Sequence, residues 1–184
     1  MGQRLVIELI EHDDVVASIY FHWSAYFSPA IQELKYISDD ILEAGNSKDV
    51  MLAILEGLEK RGGGLRCTPE DMIEAKKLFP DRKFKNPEKI NRNDGIITFI
   101  SNGITDFYNH ADGFASINLD TKQIINRVWE EPEPFEFTTT EEDGIMKPQF
   151  VMYKKMVCPV KPSDMTCESV QRLYEFMEKR FEEE

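Results

Sequence analysis

Three observations predict an α+β fold with a largely antiparallel sheet. Two runs rich in β-branched and aromatic residues, Arg4–Ile10 and Val15–Trp23, flank His12-Asp13-Asp14 near the N-terminus. Three stretches with apolar residues at helical spacing follow, and beyond residue 95 the chain returns to short alternating runs before a final helical stripe. At 184 residues the whole, 1–184, suits one domain: an N-terminal hairpin over 1–24, an acidic loop over 130–148 and a C-terminal helix over 163–184.

The hairpin can be put in register. A three-residue loop pairs Glu11 with Val15, so that Leu5 opposes Phe21, Ile7 opposes Ile19 and Leu9 opposes Ala17 on one apolar face. The other face then carries Arg4 opposite His22, Val6 opposite Tyr20 and Glu8 opposite Ser18. A two-residue loop would mix the faces. Ser28-Pro29 starts a helix that runs to Ala44 and stops at Gly45, burying Ile31, Leu34, Ile41 and Leu42. A second helix, Lys48 to Arg61, buries Met51, Ile54, Leu55 and Leu58 and ends at the Gly62-Gly63-Gly64 run. Thr68-Pro69 opens a third, short one that ends at Pro80. Strands are expected near Gly95–Ser101, Ile104–Tyr108, Gly113–Leu119 and Lys122–Trp129, with a turn at Leu119-Asp120-Thr121-Lys122. The last helix, Cys167 to Phe181, has Val170, Leu173, Tyr174, Met177 and Phe181 in a stripe.

The formal charge of −12 opposes binding to free nucleic acid unless it is segregated, and it is. Residues 1–50 carry −6, 51–100 carry +2, 101–150 carry −7 and 151–184 carry −1. Between positions 76 and 92, Lys76, Lys77, Arg82, Lys83, Lys85, Lys89 and Arg92 face only Asp81 and Glu88, with Phe79 and Phe84 interleaved. Such a mixture tracks phosphates and stacks on bases, which makes Lys76, Lys77, Arg82, Lys83 and Lys85 candidate RNA contacts. It also suits an ordinary solvated helix end. The opposite extreme, 130–143, holds seven acids and no base. It reads as a surface loop or as a mimic of nucleic acid that docks on a basic groove.

The densest chemistry is His22-Trp23-Ser24-Ala25-Tyr26. Imidazole moves protons near neutral pH, Tyr26 can position a phosphate, and a guanidinium such as Arg4 can stabilise developing negative charge. RNA cleavage needs no metal if one group takes the 2′-OH proton and another protonates the leaving oxygen. Arg4, Glu8, His22 and Tyr26 are therefore the candidate catalytic set. Asp106, His110 and Asp112 form a second polar cluster that reads as a metal trio, a second acid/base or a plain turn. His12 belongs to the hairpin loop. No Cys-x-x-Cys, phosphate loop or serine elbow occurs, so no metal or cofactor is expected. Three scattered cysteines and no long apolar run fit a cytoplasmic protein away from membranes.

The opening Met1-Gly2-Gln3-Arg4-Leu5-Val6-Ile7-Glu8, the His22–Tyr26 block and Asn93-Asp94-Gly95-Ile96-Ile97 resemble small proteins of Gram-positive phages and mobile elements. Among these, length, acidity and the hairpin are similar to a type II-A anti-CRISPR inhibitor. The resemblance implies a host-cell type II CRISPR effector nuclease with its guide RNA as partner. It also implies truncation of that guide, with the hairpin as active element. Whether such a chain cuts the RNA itself or makes its partner do so stays open. So do two other readings: a non-catalytic acidic mimic of nucleic acid, and a small mobile-element enzyme using His22 and His110.

Overall fold

The computed structural model describes residues 3–25, 27–45, 47–100, 111–126, 140–142, 145–147 and 165–181. Its centre is the N-terminal hairpin, β1 (Leu5–Glu11) and β2 (Asp14–Phe21). From Leu5↔Phe21 to Leu9↔Ala17 the register is the expected one. The tip differs. Ile10 pairs with Val15 and Glu11 with Asp14, with a register shift between Leu9 and Ile10. The loop is thus two residues, His12 and Asp13, both at positive φ (50° and 66°), as a tight turn matching strand twist requires. The bulge absorbs the extra residue, so a short loop does not mix the faces. Asp120 Oδ2 accepts a hydrogen bond from His12 N–H (2.7 Å) and ties down the tip.

Six strands form one mixed sheet in the order β3-β4-β2-β1-β5-β6. The outer strands are β3 (Gly64–Leu65), β4 (Ile96–Thr98), β5 (Gly113–Asn118) and β6 (Ile124–Asn126). Three ladders are antiparallel, but β1–β5 and β3–β4 are parallel. Helices between the paired strands allow this, since parallel neighbours need a long crossover. The expected strand at 104–108 lies outside the described residues. Within 130–148, β7 (Thr140–Glu142) and β8 (Ile145–Lys147) pair antiparallel, so that stretch is not loop throughout.

Helices α1 (Phe27–Ala44), α2 (Ser47–Arg61) and α4 (Cys167–Phe181) bury one apolar stripe each, and α1 packs against both others. Ile31, Leu34, Ile37 and Ile41 of α1, Ile54, Leu55 and Leu58 of α2, and Val170 and Leu173 of α4 join Leu5, Ile7, Leu9, Ile19 and Phe21 in one core. Leu42, expected inside, is exposed, because Ile37 and Ile41 continue the stripe that starts at Ile31 and Leu34. No helix among the described residues is long and apolar enough to cross a membrane.

The remaining helix, α3 (Pro69–Leu78), is pinned through one carboxylate. Thr68 caps it by accepting from Asp71 N–H. Asp71 is fully buried and accepts from Arg66 Nε (2.5 Å), Thr68 Oγ1 (2.6 Å) and Thr98 Oγ1 (2.5 Å). Three donors offset the cost of burying that charge and join α3 to β4.

Candidate nucleic-acid interface

Strand β2 ends at Phe21, and the next residues, His22 and Trp23, stand at the open end of the hairpin. Side chains alternate across a strand, so Tyr20 lies on the face opposite the helix-covered core residues Ile19 and Phe21. The Tyr20 hydroxyl and His22 Nδ1 are 2.8 Å apart. When Tyr20 donates, the ring proton sits on Nε2; when Nδ1–H donates to the Tyr20 oxygen, Nε2 is a free base. Tyr20 therefore fixes the ring and leaves Nε2 as its working nitrogen. The Trp23 ring meets the imidazole edge-on, centroids 5.3 Å apart at 90°, and is 47% exposed. An exposed indole beside an oriented imidazole is a surface on which a base can stack.

Two guanidiniums serve this end. Burial holds the Tyr20 hydroxyl above its ordinary pKa; Arg4 and Arg92 draw it part of the way back, while Asp112 also pushes it up. Arg4 Nε is buried and has no hydrogen-bond partner, and Arg4 makes no ion pair among the described residues. Its backbone is what Asp112 holds: Arg4 N–H donates to Asp112 Oδ2 (2.8 Å), and Asp112 N–H donates to the Arg4 carbonyl (2.8 Å). Arg92 arrives from a short 3₁₀ turn, Arg92–Asp94, whose first carbonyl accepts from His22 N–H (3.2 Å). The sequence offered Arg92 only as one charge in the basic stretch. Its approach to His22 depends on the glycine run, where Asn91 N–H donates to the Gly62 carbonyl (2.9 Å) and Gly64 N–H to the Gly95 carbonyl (3.0 Å).

The expected catalytic set is only partly assembled. Arg4 and His22 share the open end, but Glu8 pairs with Ser18, four residues farther along β1 than Arg4. That is a rise of about 13 Å, so Glu8 is remote from His22. Tyr20, Arg92 and Asp112 occupy the neighbourhood expected for it. Tyr26, Asp106 and His110 lie outside the described residues. At the other end of the hairpin, ligand atoms of Glu11, His12 and Asp120 come within 4.8 Å of one another. Asp120 there already holds the hairpin tip through His12 N–H.

The five expected RNA contacts separate into two groups. Arg82 is bound by Glu56 (2.8 Å) and Glu59 (2.7 Å), and Lys77 by Glu74 (2.5 Å). Lys85 Nζ donates to the carbonyls of Glu59 (3.2 Å) and Gly63 (3.3 Å). Lys76 and Lys83 are exposed and meet no carboxylate among the described residues.

Comparison with family models, curated proteins and solved structures gives no match.

One further group near the site was not legible in sequence. Glu33 of α1 accepts a long hydrogen bond from Ser24 Oγ (3.4 Å), two residues beyond His22. Burial pushes its carboxyl up to about 7, against the pull of Arg61 and the Ser24 hydrogen bond. The folded pKa thus exceeds the unfolded one of 4.5. Below the unfolded value the group is neutral in both states and costs nothing. As pH rises from 4.5 through 7 the unfolded chain ionises freely, while the folded chain either keeps the proton or charges a buried group. Stability is lost over that window, up to roughly 3 kcal/mol. Urea unfolding of wild type and Glu33→Gln from pH 4 to 8 should show the variant gaining on wild type as pH rises. Parallel profiles would contradict this.

Proposed function

We propose that the chain inhibits a type II RNA-guided effector nuclease by acting on its guide RNA from the open end of the hairpin. One observation carries this reading: a tyrosine-oriented imidazole stands beside an exposed indole and the half-buried Arg4, whose Nε has no hydrogen-bond partner among the described residues. A single-stranded nucleotide offers what each part takes. Its base stacks on Trp23, its phosphate meets Arg4 and Arg92, and its 2′-hydroxyl or leaving oxygen exchanges a proton with His22 Nε2.

In the reaction, His22 Nε2 removes the 2′-OH proton and the 2′-oxygen attacks the adjacent phosphorus. The P–O5′ bond breaks, leaving a 2′,3′-cyclic phosphate on one fragment. The departing 5′-oxygen takes up a proton from water and leaves as a hydroxyl on the other, and His22 Nε2 returns the proton it took to water. Arg4 and Arg92 stabilise the extra negative charge on the phosphorane-like transition state. A protein at −12 is repelled by naked RNA but drawn to a basic nuclease that already holds RNA. That makes the nuclease–guide complex the partner rather than the free guide.

Association with the complex should therefore weaken as salt rises. Between about 50 and 200 mM salt the affinity should fall at least tenfold, since several charge contacts are screened together. Titrations by fluorescence anisotropy at three salt concentrations measure this, and a flat dependence would contradict a charge-steered encounter.

A further inference from the structure

A second site lies some way along the same chain. The end of α3 and the loop after it enclose a cleft of about 540 Å³, within the range of small-ligand pockets. Four cations line it (Lys76, Arg82, Lys83 and Lys85), and no carboxylate does, in a protein of net charge −12. Its apolar wall includes Met72 and Phe84, both packed against the core.

The four cations are not equivalent. Arg82 is neutralised by Glu56 and Glu59, so it fixes the loop more than it attracts a ligand. Lys85 spends two of its three ammonium protons on the carbonyls of Glu59 and Gly63, at the C-terminal end of α2. This anchors the loop and leaves one donor. Lys76 and Lys83 are exposed with no partner among the described residues, so their charge is available to an anion. Two free ammonium groups over an aromatic wall fit a ligand with one phosphate and one flat apolar ring.

We infer that this cleft binds a nucleoside monophosphate unit, with Lys76 and Lys83 on the phosphate and the base against Phe84 and Met72. The unit can be a free nucleotide or one residue of an RNA strand. Only the second source rests on the guide RNA reading. For it, the connection is short: the chain passes from Pro87 in the cleft wall to Arg92 at the hairpin site in five residues. Such a span is at most about 18 Å, so one strand can lie across both.

Calorimetric titration of the full chain at low salt tests the cleft directly, with uridine 5′-monophosphate, ribose 5-phosphate, inorganic phosphate and a six-nucleotide oligouridylate as probes. The mononucleotide should bind at least about tenfold tighter than ribose 5-phosphate or phosphate, since base stacking adds to the phosphate contact. Phe84→Leu should erase that preference, with circular dichroism confirming the fold. Lys76→Glu with Lys83→Glu, both at exposed positions, should weaken the mononucleotide at least tenfold. Oligouridylate tighter than the mononucleotide assigns the cleft to a strand; the reverse order assigns it to a free nucleotide. Equal binding of phosphate and mononucleotide, a flat mononucleotide titration, or unchanged binding in the double lysine variant would overturn the proposal. Failure of the hairpin chemistry is read separately, as a full-length guide after incubation with the nuclease–guide complex, so it and failure of the cleft give different results.

Discussion

Replacing Gly63 by alanine should cost about 3 kcal/mol of stability, the upper end of what overpacking a tight interior produces. A Cβ there would sit 2.2 Å from the Gly95 carbonyl oxygen and 2.5 Å from that of Asp94. Both are backbone atoms, and the Gly95 carbonyl is already the acceptor for Gly64 N–H. They cannot swing aside as the end of a side chain would. Gly45→Ala is the control: its φ is +97°, yet nothing lies within 4 Å of a Cβ placed there. That substitution strains the backbone alone and should cost about 1 kcal/mol. Urea unfolding of both variants measures the difference, and equal costs would show that the clash is relieved. The effect extends to function, because the same contact holds the segment that brings Arg92 to His22. Gly63→Ala protein that still folds should shorten guide RNA more slowly.

The second large effect is at His22. His22→Ala should slow guide shortening by about 10²- to 10⁴-fold, the usual worth of a positioned acid–base group. The variant should keep its unfolding midpoint, because His22 is only half-buried. Tyr20→Phe separates orientation from proton transfer. It keeps the ring but removes the 2.8 Å hydrogen bond to Nδ1, so the rate should fall by about tenfold. Full shortening by His22→Ala would assign bond cleavage to the partner nuclease. Loss in His22→Ala with none in Tyr20→Phe would make Tyr20 a packing residue.

The hairpin was readable because its pattern is local. One register puts Leu5, Ile7 and Leu9 against Phe21, Ile19 and Ala17, and a one-residue slip would expose them all. Helix starts at Thr68-Pro69 and the end at Gly45 were readable for the same reason. What the sequence concealed is long-range. The parallel pairing of β1 with β5 brings Asp112 to Arg4 across 108 positions, and no periodicity announces such a meeting. The basic stretch was visible as a run of charge, but the pairing of two of its members, Lys77 and Arg82, was not. Arg82 finds Glu56 and Glu59 on α2, 26 and 23 residues earlier. Glu33 reads in sequence as one more charged helix residue, and only its burial beside Ser24 makes it unusual. At the candidate site, Arg4 and His22 followed from register. Glu8 stands opposite Ser18, where the register put it, but a shared face is not a shared position and it is remote from His22. The place of Arg92 depends on the glycine contacts, which no local pattern announces.

The central claim is that the open end of the hairpin breaks guide RNA by 2′-hydroxyl attack, with His22 moving the proton. Its most direct test is a denaturing gel of guide RNA after incubation of the nuclease–guide complex with the chain, with and without EDTA. The fragment ends are identified chemically. The expected result is a shortened guide bearing a 2′,3′-cyclic phosphate, formed equally in both lanes and lost with His22→Ala. A full-length guide in every lane, or shortening that EDTA abolishes, would contradict it.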